Sequence, residues 1–137
     1  LKQIEMRHLR SLYDINAADF NAILKLSHDL KALMNRGIRP SLLQNRAIAL
    51  LFEKPSLRTR LSFEAGMIQL GGTAIYLTND VGWKQRECVS DFIRVLAEYC
   101  DMLVCRANEH ATIDELADHD CMTIINGLTN LSHPCQA

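Results

Sequence analysis

Ala47-Ile48-Ala49-Leu50-Leu51-Phe52-Glu53-Lys54-Pro55-Ser56-Leu57-Arg58-Thr59-Arg60-Leu61 is the stretch on which the reading of this chain turns. Its first six residues are a continuous apolar run, the pattern of a parallel strand buried on both faces. Its last residues open an amphipathic run to Leu70. Between them lies a polar, cationic turn at a helix start. The first turn of a helix has N–H groups without partners, and the helix dipole favours negative charge there. Ser56 and Thr59 add hydroxyls, and Arg58 and Arg60 add fixed charge suited to phosphate oxygens. The stretch therefore predicts a strand, a phosphate-binding turn and a helix.

The same alternation continues outward. Asn16 is a candidate N-cap for a helix whose apolar stripe is Phe20, Ile23, Leu24, Leu26, Leu30 and Leu33, ending near Gly37. After Gly71-Gly72, Thr73–Leu77 is a second strand. A polar loop runs from Thr78 to Glu87, and Cys88–Tyr99 is helical. Asp101–Arg106 is a third strand, Ile113–His119 a short helix and Met122–Asn126 a fourth strand. Strands alternating with helices predict an α/β fold, a parallel four-stranded sheet with helices on both faces. Ligands of such sheets bind beyond the carboxyl ends of the strands. Four polar segments follow those ends: Ser56–Arg60, Thr78–Glu87, Arg106–His110 and Gly127–Gln136.

Composition narrows the classes. The chain has 137 residues, 48% apolar and 23% charged, with a net charge of -1. That is one ordinary globular domain without the broad basic field that nucleic acid or an anionic membrane surface selects. No apolar run approaches the roughly 18 residues of a spanning helix. Leu1-Lys2-Gln3-Ile4-Glu5 lacks the pattern of a signal peptide. The five cysteines are odd in number and have no CxxC spacing, so reduced thiols and a cytoplasmic location are expected rather than a disulfide framework or zinc site. Histidines 8, 28, 110 and 119 are expected to be exposed.

Phe52-Glu53-Lys54-Pro55-Ser56-Leu57-Arg58-Thr59-Arg60 resembles the carbamoyl-phosphate signature of the aspartate/ornithine carbamoyltransferases. His133-Pro134-Cys135-Gln136-Ala137 resembles their second signature, and Asn126-Gly127-Leu128-Thr129-Asn130 leads into it as in the ornithine branch. Arg106 stands at a strand end where that family places an arginine. The resemblance covers about His8 to Ala137. It implies a three-layer, Rossmann-like domain over residues 1–137 that binds carbamoyl phosphate, with the family's second, amine-binding domain absent. Ser56, Leu57 through its backbone, Arg58 and Thr59 would hold the phosphate. Arg106 would bridge phosphate and carbonyl oxygen, His133 would donate to that oxygen, and Gln136 would fix the carbamoyl amide, with Arg106 and His133 the catalytic pair. No cofactor or metal is implied.

Two departures from the family pattern matter. Leu57 stands where threonine is usual and removes a hydroxyl. In the loop before Glu87, Lys84 or Gln85 would reach a neighbouring subunit's site, or Trp83 would shape the pocket for a bulkier amine. The resemblance further implies a homotrimer and an amino-acid co-substrate, ornithine first. Transfer to aspartate or an acylated ornithine, or a stand-alone phosphate-binding or oligomerisation module, remain the alternatives.

Overall fold

The computed structural model describes residues 7–136; Leu1–Glu5 and Ala137, read above from sequence, lie outside it. The elements in order are α1 (Ala17–Asn35), β1 (Ala47–Phe52), α2 (Leu57–Gln69), β2 (Thr73–Leu77), α3 (Val89–Tyr99), β3 (Met102–Arg106), α4 (His110–Asp118) and β4 (Thr123–Asn126). Short 3-10 turns occupy Leu12–Asp14 and Asn79–Val81. The four strands are all parallel, in the order β2-β1-β3-β4. The predicted α/β architecture is therefore the observed one.

Side chains alternate across the strands, and each face has its own core. Ala49 and Leu51 of β1 pack with Leu103 and Cys105 of β3 and with Phe92, Ile93, Ile113 and Leu116 of α3 and α4. Ile48, Leu50 and Phe52 point the other way, with Val104 and with Met67 of α2. Burying both faces of β1 explains why its sequence is apolar without alternation.

Local signals act where sequence places them. The Asn16 side chain accepts from the Asp19 N–H at 2.9 Å and starts α1. Gly71, at φ 85°, adopts the left-handed conformation that ends α2. Two expectations need correction. The apolar stripe of α1 is only partly covered: Leu24 and Leu26 are exposed, and no residue of the helix is fully buried. The helix flanks α2 across a cleft lined by Leu30, Met34, Gly66 and Leu70, instead of lying on the sheet. α4 begins at His110, three residues before the expected Ile113, because the His110 N–H finds a distant acceptor in the Asn130 side chain, 2.9 Å away.

Residues 8–10 add a last feature. Leu9 bridges to Ile125 in parallel at the outer side of β4, with Leu9 N donating to Ile124 O and Asn126 N to Leu9 O, each at 2.8 Å. His8 is not exposed as expected: its Nδ1 accepts from Ile124 N at 3.1 Å, and its side chain is 15% accessible. His110 is likewise 15% accessible, with Nδ1 at 2.9 Å from the Thr129 hydroxyl.

Candidate functional site

The strand order sets the position of the site. β1 has β2 on one side and β3 on the other, so the chain leaves β1 in one direction and returns on the opposite flank. The crevice of such a sheet opens beyond the carboxyl ends of the strands that flank this switch. Those ends are Phe52 and Arg106, which face each other in register. A cavity of about 420 Å³ lies there, lined by Pro55, Ser56, Leu57, Arg58 and Thr59 on one side and by Arg106, Leu128, His133 and Gln136 on the other. Three of the four predicted polar segments thus contribute to one cavity.

Each wall follows from local sequence. Ser56 is the N-cap of α2, yet its hydroxyl makes no capping bond. The first intrahelical bond reaches it only from Arg60 N. The N–H groups of Leu57, Arg58 and Thr59 therefore lie in the unpaired first turn. Arg58 is exposed and makes no ion pair among the described residues. Arg60 differs: its Nε is 2.9 Å from Glu64 Oε1 and its guanidinium lies 3.7 Å from the Tyr76 ring centroid. It is bound into the scaffold. Leu57 is 73% exposed and makes the cavity's lip apolar.

On the opposite wall, His133 and Gln136 sit at the two ends of one turn, closed by Gln136 N donating to His133 O at 3.1 Å. Pro134 occupies the position whose fixed φ favours such a turn. Both ring nitrogens of His133 and the Nε of Arg106 are buried without a hydrogen-bond partner. Burial, and then the nearby Arg106 charge, hold His133 below its ordinary pKa, so the ring is neutral near pH 7. Buried polar atoms are paired in nearly all native sites. The two residues that carry these three orphans both line the cavity.

Glu53 joins the two strand ends. Its N–H donates to Arg106 O at 2.8 Å, and its Oε2 accepts from Asn108 N at 2.7 Å. Its Oε1 accepts from Trp83 Nε1 at 2.8 Å and pairs with Lys84 Nζ at 2.9 Å. Burial raises the carboxyl's pKa, but these donors outweigh it and leave the group below the ordinary range. The three loop candidates differ in their surroundings. Trp83 is 5% exposed and packs on Phe92 in the core, with centroids 4.9 Å apart and the rings tilted by 57°. Lys84 turns inward to Glu53 and to the Thr112 hydroxyl at 2.7 Å. Lys84 and Gln85 are both exposed, but Lys84 is tied to Glu53 and Thr112. Glu53 and Leu128 had no assigned role in the sequence reading. Leu128 takes a φ of 131°, a conformation that glycine would signal and leucine does not.

Comparison with known proteins fits this geometry. Residues 7–137 match the family described as aspartate/ornithine carbamoyltransferase, carbamoyl-P binding domain. The chain belongs to that family. An ornithine carbamoyltransferase of Archaeoglobus fulgidus is 42% identical over 136 residues, covering 96% of this chain and 43% of the relative. One of Syntrophus aciditrophicus is 40% identical over 131 residues, covering 95% and 43%. Among solved structures, the ornithine carbamoyltransferase from Pyrococcus furiosus superposes with a TM-score of 0.91 at 38% identity, over 96% of this chain and 42% of that one. Aspartate transcarbamoylase from Trypanosoma cruzi, solved with carbamoyl aspartate and phosphate, gives 0.86 at 30%, over 96% and 43%. The chain thus spans less than half the length of these carbamoyltransferases.

Among the described residues, no cluster of histidine, cysteine and carboxylates could hold a metal ion. No helix among them is long and apolar enough to cross a membrane. A second cleft of about 460 Å³ lies against α2, lined by Leu43, Ile48, Phe63, Met67 and Met102 and edged by the Arg46–Asp101 ion pair. It is apolar and brings no free donors together, so the chemistry points to the strand-end cavity.

Proposed function

We propose that residues 1–137 form the carbamoyl-phosphate-binding domain of an ornithine carbamoyltransferase. The observation that carries this reading is one cavity that joins the N-terminal turn of α2 to Arg106 and His133, two residues whose buried Nε and ring nitrogens have no hydrogen-bond partner. Ser56, Arg58, Thr59 and the backbone N–H of Leu57 hold the phosphate. Arg106 spans phosphate and carbonyl oxygen, His133 donates to that oxygen, and Gln136 fixes the amide.

The chemistry requires this division of labour. The amine lone pair attacks the carbonyl carbon, negative charge grows on the carbonyl oxygen, and the C–O bond to phosphate breaks as the amine gives up a proton to the departing phosphate. Arg106 and a neutral His133 are preorganised donors to the growing charge, and losing one such donor typically costs ~3 kcal/mol of barrier. The cations around the phosphate make it a better leaving group. Relatives named for ornithine, at about 40% identity, favour that amine over aspartate, whose transcarbamoylase here is 30% identical. Carbamoyl transfer to ornithine, giving citrulline and phosphate, is the reaction proposed for the intact enzyme. A homotrimer in the cytoplasm serving arginine biosynthesis is the setting proposed, with Gln85 the loop residue left to meet a neighbouring subunit.

Calorimetric titration of the chain with inorganic phosphate tests the reading. Binding that Arg58→Ala weakens about tenfold or more supports it, as the loss of a charge-assisted contact predicts. Absence of binding overturns it.

A further inference from the structure

We propose that Asn126 is a positioning residue that sets the place of His133 by tying the end of β4 to Ser132, the residue immediately before it. The inference rests on the reading of His133 as the donor to the carbonyl oxygen.

Neither ring nitrogen of His133 has a partner, so the ring depends on packing and on the backbone that carries it. That backbone belongs to residues 127–136, which form no helix or strand yet supply Leu128, His133 and Gln136 to the cavity.

Asn126 is fully buried and polar. Its Nδ2 donates to Ser132 Oγ at 3.1 Å, to Ser132 O at 3.2 Å and to Arg10 O at 2.8 Å. Its Oδ1 accepts from Leu128 N at 2.8 Å. One amide therefore spans the base of the loop, holding Leu128 on one flank and Ser132 on the other. Thr129 N donates to Ser132 O at 3.0 Å and closes the same loop.

Leu128 reinforces the point. Its φ of 131° is strained for a side chain branched beyond Cβ, and such conformations persist only where neighbours over-determine them. The Asn126 carboxamide oxygen supplies one restraint, and Ala107 N, donating to Leu128 O at 3.1 Å, supplies another. A role confined to sealing the sheet edge would account for the bond to Arg10 alone. The bonds to Leu128 and Ser132 go to the loop that carries the site.

The experiment uses two ligands that differ at one end. Inorganic phosphate engages the α2 turn. Phosphonoacetamide, in which a methylene replaces the labile bridging oxygen, also presents a carbonyl oxygen to His133. Asn126→Ala is expected to weaken phosphonoacetamide about tenfold, the scale of a lost hydrogen bond, and to leave phosphate within about twofold. In a His133→Ala background it should cause no further loss. Equal loss for both ligands, no loss, or additive loss with His133→Ala overturns the inference. Failure of the unmodified chain to bind either ligand overturns the reading of the site itself, and the inference with it. Should Asn126→Ala fail to fold by circular dichroism, Ser132→Ala decides: a loss confined to phosphonoacetamide supports the inference, and an equal or absent loss overturns it.

Discussion

Replacing Arg106 by methionine should make the empty domain more stable while removing its ligand. The Arg106 Nε is buried without a partner, and a buried polar group left unsatisfied costs about 1–3 kcal/mol. Methionine keeps an unbranched apolar stem as far as the Nε position and brings no such group. Allowing for imperfect packing, the gain is about 1 kcal/mol, or roughly 3 °C in melting temperature for a chain of this size. Phosphate binding moves the opposite way. Loss of one charge-assisted hydrogen bond at about 2 kcal/mol weakens affinity ~30-fold. Differential scanning calorimetry of the ligand-free proteins gives the first number, and isothermal titration with phosphate gives the second. A variant that melts lower than its parent shows that Arg106 supports the fold. A variant that binds phosphate as tightly as its parent removes Arg106 from the anion site. Either result refutes the reasoning from the orphaned atom.

Leu57→Thr should tighten phosphate binding about threefold to tenfold, because an exposed apolar side chain gives way to a donor at the helix N-terminus; calorimetry with unchanged or weaker affinity would contradict this. Arg60→Ala should destabilise the fold by about 1 kcal/mol, through loss of its Glu64 and Tyr76 contacts, and leave phosphate affinity within about twofold, as urea melts and titration would register. The folded chain holds the His133 proton less tightly than the unfolded chain does. Stability should therefore be full above pH 6.5, the ordinary histidine value, and decline as pH falls below it. In Arg106→Met the decline should be smaller, and the His133 proton resonance should titrate at higher pH. Trp83→Phe should cost about 1–2 kcal/mol in urea unfolding by leaving Glu53 one donor short, with the aromatic packing on Phe92 retained.

The parts of this molecule that were legible in sequence are those specified by neighbours in the chain. β1 and β2 have the predicted bounds because an apolar run between polar turns needs no distant information. Ser56 at the start of α2 and Arg106 at the end of β3 were placed by the same reasoning, and strand-end convergence brought them together. What sequence concealed depends on partners far away. Trp83 sits in a polar loop, where sequence suggests a pocket-shaping role and does not show that Glu53, thirty positions earlier, accepts its N–H. α4 starts early because Asn130 accepts from His110 across twenty positions. The exposed stripe of α1 has the right period for burial, but periodicity does not say what lies opposite.

The bridge from Leu9 to β4 has a consequence for the order in which the molecule takes shape. During synthesis residue 9 emerges long before residue 125, and until β4 arrives its N–H and C=O have no strand to join. Arg10 O likewise waits for the Asn126 amide, 116 positions on. A closure of that span is among the slower events available to a small domain. The α2 turn, built from adjacent residues, can form as soon as it is made. The two walls of the cavity thus mature at different times: the anion-holding wall early, and the His133 wall only after the opening residues of the domain have come home to its last strand.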